Sequence, residues 1–116
     1  MALATKAYIN GVGYTVKRAS FQENTAASHD FVAAVTGKQI VVLNMTLVSQ
    51  GTVVASVLSG STGLMSLVNL AAGVPLTLSC HGNPTLPPIV TTAGEALKVQ
   101  LAGAVLVSGT VTYIEV

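Results

Sequence analysis

Short runs of alternating apolar and polar residues, separated by glycine, asparagine and serine turns, cover most of the chain. A period of two is the pattern of a β-strand with one buried face. The runs recur about every ten residues, and the connections between them are too short for the crossovers that parallel strands need. The pattern therefore predicts an all-β fold of eight or nine short strands, arranged as an antiparallel, jelly-roll-like β-sandwich.

The first two predicted strands form a hairpin around Asn10-Gly11, because this pair suits a two-residue turn in which both φ angles are positive. Gly109 indicates a bulge within the last strand. Two polar segments, residues 22–28 and 81–92, are expected to be loops. We predict one domain, with an N-terminal hairpin or arm over residues 1–20 and the sandwich over 21–116. The expected strands span residues 7–9, 12–16, 30–35, 39–49, 52–58, 64–70, 74–79, 95–101 and 104–116.

The segment 39–49 shows the strongest strand pattern, and both of its faces are largely apolar. A strand that is apolar on both sides is expected to be covered on both sides. In a two-sheet domain the second cover would be another subunit or a long loop. Strict alternation places Ile40, Val42, Asn44, Thr46 and Val48 on one face, and Val41, Leu43, Met45 and Leu47 on the other.

Charged residues are scarce: they make up 8% of the 116 residues, and residues 39–94 contain no Asp, Glu, Lys or Arg. An ordinary soluble domain carries about 25%. Part of the surface is therefore expected to be buried against other chains. The net charge is +1 and only Lys17 and Arg18 form a basic pair, which argues against nucleic acid as a partner. No apolar run reaches the length of about 18 residues that would indicate a membrane span.

No motif in the chain indicates catalysis, a metal or a cofactor, so we expect no enzyme activity, no catalytic, metal or cofactor-binding residues and no small-molecule substrate. The pairs His29-Asp30 and Cys80-His81 are adjacent in sequence, and neighbours in a strand point to opposite faces. Neither pair can therefore bind one metal ion directly. Cys80 is the single cysteine, so no internal disulfide can form. We expect it to be a small buried apolar residue in a protein made in the cytoplasm.

Four segments, residues 34–42, 73–78, 93–97 and 109–116, resemble small β-sandwich virion proteins of tailed bacteriophages. These proteins serve as head decoration (cement) proteins or as fibre modules. The resemblance extends over about residues 28–116 and leaves residues 2–20 outside it. It implies a homotrimer on the outer capsid surface of the virion, made in the host cytoplasm, that contacts the major capsid protein at local threefold positions between capsomers.

Two functions remain open from the sequence. The first is a capsid decoration protein that stabilises a phage head as an oligomer, and the alternative is a receptor- or glycan-binding module of a tail or head fibre. The alternative would use tyrosines that stack on sugars, for which Tyr8, Tyr14 and Tyr113 are available. The candidate oligomer or capsid interface residues lie in the hairpin, the basic pair, the strongest strand and the proline loop: Tyr8, Tyr14, Lys17, Arg18, Ile40, Val42, Val48, Pro84, Pro87 and Pro88.

Overall fold

The computed structural model describes residues 6–116, which form eleven β-strands and no helix. Every pair of these strands is antiparallel, which confirms the predicted all-β antiparallel sandwich. Since it contains no helix, this part of the chain offers none that could cross a membrane. The strands are β1 Lys6–Ile9, β2 Val12–Thr15, β3 Lys17–Glu23, β4 Ser28–Val32, β5 Ile40–Ser49, β6 Val53–Ser59, β7 Thr62–Leu70, β8 Leu76–Ser79, β9 Ile89–Val90, β10 Leu97–Leu101 and β11 Val107–Glu115.

Two sheets form the sandwich, and the β1–β2 hairpin forms a small third sheet of its own. One sandwich sheet has the strand order β3-β11-β5-β8, with β9 also paired to β5, and the other has the order β4-β10-β6-β7. The pairs are nested in the chain, because β6 pairs with β7, β5 with β8, β4 with β10 and β3 with β11. The sandwich is therefore built from antiparallel pairs that enclose one another along the chain.

The core lies between the two sheets and is almost wholly aliphatic. Phe21 and Phe31 are the phenylalanines of the core, and their ring centroids lie 5.2 Å apart. Burial of the aliphatic side chains is the main stabilising contribution, since each contributes about 1.5–3 kcal/mol when it leaves water. The side chains with the lowest exposure include Ile40, Val42, Met45, Leu47, Leu97, Val99, Leu101, Val107 and Val111.

A bulge in β5 changes which side chains of the strongest strand point inward. Thr112 pairs with Asn44 and Tyr113 pairs with Val42, so Leu43 is an extra residue without a counterpart in β11. The extra residue reverses the alternation, which places Ile40 and Val42 in the core together with Met45 and Leu47. Strict alternation from the sequence was therefore wrong for this strand. Ile40 and Val42 are both 0% exposed and drop out of the interface candidates, because they have no surface to offer a partner.

The turn at Asn10-Gly11 is confirmed, with φ angles of 52° and 78°. Its hairpin pairs Ile9 with Val12 and joins the sandwich through the single residue Val16. Because β3 begins at Lys17, the predicted boundary at residue 20 falls inside a sandwich strand. Residues 1–5 of the predicted arm lie outside the described residues.

Two of the eleven observed strands, β3 and β9, are absent from the nine segments predicted from the sequence. β3 was expected to be partly loop, because its inward positions contain only Ala19 and Phe21 among polar neighbours. β9 lies inside the predicted loop 81–92 and has two residues. It is held at the end of β5 by Thr91, whose Oγ1 accepts the Ile40 amide at 2.9 Å while its own amide donates to the Ile40 carbonyl at 3.0 Å.

The outer face of β5 and β11 is also covered at one end. Val41 and Ile114 pair across the two strands and are only 4% and 0% exposed, yet they do not belong to the core between the sheets. The β1–β2 hairpin lies on this side of the sheet, where β2 contacts β11. The hairpin thus lies against β11, the strand that pairs with β5 along its whole length.

Candidate functional site

A groove of about 470 Å³ lies between the N-terminal hairpin and the outer face of the β3-β11-β5-β8 sheet. Three candidates from different parts of the sequence, Tyr8, Arg18 and Pro84, line it together. Their convergence depends on the one-residue connection at Val16, which folds the hairpin back over the sheet. The remaining lining residues are Lys6, Ala7, Val16, Leu43, Cys80, Gly82 and Thr112.

Tyr8 is the most exposed aromatic residue of the hairpin, with 62% of its surface accessible. It pairs across the strands with Gly13, and a Cβ at Gly13 would lie 2.9 Å from Cε1 of the Tyr8 ring. The ring therefore lies across Gly13, and a side chain at position 13 would push the ring out of this position. An exposed ring held at the rim of a groove can bury a large apolar area against a partner.

The loop that carries Pro84 is fixed by short-range hydrogen bonds. His81 and Gly82 have φ angles of 54° and 82°, and the Asn83 amide donates to the Cys80 carbonyl at 3.0 Å. Asn83 Oδ1 accepts the Thr85 amide at 3.0 Å. This side-chain bond mimics a backbone turn, so Pro84 is presented on an ordered loop. Pro87 and Pro88 belong to the same loop but do not line the groove.

The charge of the groove is positive. Lys6 and Arg18 line it, no carboxylate does, and neither cation forms an ion pair within residues 6–116. The floor is largely apolar, since Ala7, Val16, Leu43 and Cys80 contribute to it. A site with these properties favours a segment that combines an apolar side chain with a carboxylate.

The remaining candidates lie away from the groove. Tyr14 and Val48 are half-buried, Tyr14 in β2 and Val48 in β5. Lys17 lies in an adjacent hollow of about 370 Å³, together with Thr15, Val35, Lys38 and Glu115. Leu43, Cys80 and Thr112 were missed as groove residues, because the sequence does not show that the hairpin folds back over this face.

An ion pair between Lys17 and Glu115 fixes the joint between hairpin and sandwich. Lys17 Nζ donates to Glu115 Oε1, and the Glu115 side chain is 12% exposed. The hydrogen bond to Glu115, followed by the negative charge of that carboxylate, raises the pKa of Lys17 above its usual value of 10.5. Since Lys17 directly follows the connecting residue Val16, the pair ties the start of β3 to the end of β11.

We expect Lys17→Met to lower the melting temperature at about pH 8 and to have a smaller effect at about pH 11.5. The pKa of Lys17 is higher in the folded than in the unfolded chain. Its contribution is therefore fully present below pH 10.5 and is lost as the pH rises through the folded value. Thermal melts at both pH values measure the difference. Lys17→Arg is the control, because arginine keeps its charge at the higher pH. If Lys17→Met lowers the melting temperature equally at the two pH values, the ion pair does not have this role.

The two histidines lie in separate environments. His29 Nε2 donates to the Thr25 carbonyl at 2.8 Å, and its Nδ1 lies 3.6 Å from Glu23 Oε2. The His81 amide donates to Ser79 Oγ at 3.0 Å. Within residues 6–116, no group of three or more His, Cys, Asp or Glu side chains is placed to hold a metal ion.

Comparisons with known proteins give a likeness among solved structures. No protein-family model matches the chain, and no curated protein matches it. A search of solved structures finds similarity to a chain of the "Cyanophage Pam1 capsid asymmetric unit", with 18% sequence identity and a TM-score of 0.43, over 98% of this chain and 93% of that chain. These values are too low to establish a shared family or function.

Proposed function

We propose that the protein is a structural component of a phage particle, a decoration (cement) protein that binds the outer surface of the head as an oligomer. The observation that carries the binding role is the convergence of the hairpin, Arg18 and the proline loop on one apolar, positively charged groove. The choice of a capsid as partner rests on the resemblance of four strand and turn segments to small phage virion proteins.

In this proposal, the groove takes up a segment of the major capsid protein that carries an apolar side chain and a carboxylate. Tyr8 and Pro84 supply apolar contact area and Arg18 supplies the charge. Binding stabilises the shell because the contacts exist in the intact head and are absent after dissociation. The stoichiometry that the resemblance implies is a homotrimer at local threefold positions.

The direct test uses heads of the phage that encodes the chain, prepared without this protein. We expect the added protein to co-sediment with these heads and to raise the temperature at which they release DNA. Arg18→Glu and Tyr8→Ala are each expected to weaken binding at least tenfold, which corresponds to about 1.4 kcal/mol.

Lys98→Glu is the matched control for Arg18→Glu, because it reverses a charge on the other sheet, where Lys98 lies 3.1 Å from Asp30. We expect it to bind heads as the unaltered protein does. If heads fail to bind the unaltered protein, the proposed function is wrong. If Lys98→Glu weakens binding as much as Arg18→Glu does, the groove is not the binding site.

One observation favours the alternative, a receptor- or glycan-binding module of a tail or head fibre. The Tyr8 ring is exposed beside an apolar groove, which is a geometry that can stack on a sugar. Tyr14 and Tyr113 are both half-buried, so only one of the three tyrosines offers an open ring. A glycan array that binds the unaltered protein but not Tyr8→Ala, together with no binding to heads, would favour the alternative over decoration.

A further inference from the structure

One flank of the sandwich carries no charged residue. In the two sheet orders, β3 and β4 are the edge strands on one side, and β8 and β7 are the edge strands on the other. The β3/β4 side carries Lys17, Arg18, Glu23 and Asp30, whereas residues 39–94 contain no charge at all. We call β7, β8 and the connecting residues 71–75 the uncharged flank.

Exposed apolar side chains and an open strand edge occur together on the uncharged flank. Leu64 is 39% exposed and Val74 is 58% exposed. β7 has nine residues and pairs only with β6 within the described part of the chain. Proteins commonly protect such edges with charges or proline, and β7 has neither.

Bulges set the kind of contact that this edge can make. The β6–β7 register shifts twice, between Ala55 and Val57 and between Val57 and Leu58. These shifts prevent β7 from extending a regular ladder along its whole length. A partner on the uncharged flank is therefore held mainly by side-chain packing, with β7 at the centre of the contact.

The absence of charge indicates which partner fits. In a symmetric oligomer, the residues nearest the axis meet the same residues of the other copies. A charge at that position would face its own sign, and the β3/β4 side would bring Lys17 and Arg18 close to their copies. The uncharged flank avoids this repulsion, and its burial requires no charge to leave water.

The size of the flank agrees with this partner. A nine-residue strand is about 30 Å long, and the shortest dimension of the molecule is 19 Å. A contact that covered this whole side would take up about 570 Å² per copy, or about 1,100 Å² for two copies, close to the lower limit for specific interfaces.

We propose that a second copy of this chain docks on the uncharged flank through Leu64, Val74 and the outer edge of β7. This inference deepens the oligomeric part of the proposed function and is independent of its capsid-binding part. The groove beside the hairpin and the uncharged flank are separate surfaces, so one copy can use both.

The test is the solution mass measured by light scattering after size exclusion. We expect the unaltered protein at two or three times the chain mass of 11.7 kDa. Ser66→Lys and Val74→Lys place like charges at the contact and are each expected to give the mass of a single chain. Both residues are exposed, so the variants should fold, and a circular dichroism melt of each variant verifies this.

Matched controls separate the flank from a general effect of added charge. Ser20→Lys changes an exposed serine of the opposite edge strand, and Val35→Lys changes a valine that is 41% exposed outside the flank. Both controls are expected to keep the oligomer mass. A monomeric unaltered protein, or an oligomer that Ser66→Lys and Val74→Lys leave intact, overturns the inference. If the unaltered protein is a monomer and still co-sediments with heads, the inference about the uncharged flank is wrong, whereas the capsid-binding part of the proposed function stands.

Discussion

Val42→Asp is expected to abolish folding at 25 °C. Val42 is 0% exposed and belongs to the core between the sheets, where residues 6–116 place no cationic side chain that could pair with a carboxylate. Burial of an unpaired carboxylate costs several kcal/mol, which is comparable with the total stability of about 5–15 kcal/mol of a small domain. Circular dichroism and size exclusion of the purified variant report the loss of folded protein.

Val48→Asp is the matched control, because strict alternation along β5 places both valines on the same face. The bulge at Leu43 separates them: Val42 points into the core, whereas Val48 is half-buried on the outer face. At Val48 the new carboxylate can reach water, and the expected cost is about 1 kcal/mol, the span of β-propensity differences. Equal costs at the two positions would contradict the bulge.

A urea titration of Val42→Ala supports the comparison if Val42→Asp yields no soluble protein. Removal of two buried methyl groups is expected to cost about 2 kcal/mol through lost burial and the cavity left behind. Val48→Ala should cost less than about half of this, because the side chain already contacts water. The titrations are compared at one protein concentration, since oligomer formation makes apparent stability depend on concentration.

The bulge illustrates why the alternation of β5 could be predicted only in part. The strand itself was evident from its β-branched residues, which make up half of its ten positions. Leu43 carries no signal of a bulge, because it is neither glycine nor proline and lies among other aliphatic residues. The register is set by the partner strands β11 and β8, and this long-range pairing cannot be seen in one strand's sequence.

Turns were easier to predict than the side chains of a strand that point into the core, because a turn depends on its own residues. Asn10-Gly11 requires nothing beyond its own two residues to favour positive φ angles, and the structure has them. β3 was missed because only Ala19 and Phe21 alternate in it, and its pairing with β11 decides its conformation. Local chemistry predicts a turn, whereas a weakly patterned edge strand depends on its neighbour.

The candidate groove was predictable residue by residue but not as a site. Tyr8, Arg18 and Pro84 were named from the hairpin, the basic pair and the proline loop separately. Their meeting depends on the direction that the chain takes at Val16, and on the Leu43 side chain of the bulge. The chain direction at Val16 and the orientation of Leu43 both depend on contacts between residues that are distant in sequence. The groove could therefore be found only from the three-dimensional structure.

Gly109→Ala is expected to destabilise the protein by about 3 kcal/mol, at the upper end of the usual cost of overpacking. Gly109 lies in β11, which is paired on both sides, with Leu47 of β5 and Phe21 of β3. A Cβ at this position would clash with the Thr46 carbonyl oxygen and lie 2.7 Å from Leu47 Cδ2. The backbone oxygen is held in the ladder and cannot move aside without breaking the pairing.

The sequence predicted a bulge at Gly109, but the register shift lies between Thr112 and Tyr113, and Gly109 pairs in regular register. A strand glycine indicates either a bulge or a close backbone approach, and the structure shows the second. Gly103→Ala is the control, because its Cβ would lie 3.7 Å from Val53 Cγ2, an ordinary contact. It is expected to be neutral or to stabilise by up to about 1 kcal/mol, through the reduced freedom of the unfolded chain. Urea titrations that show equal stability for the two variants would rule out the close approach and leave Gly109 without a packing role.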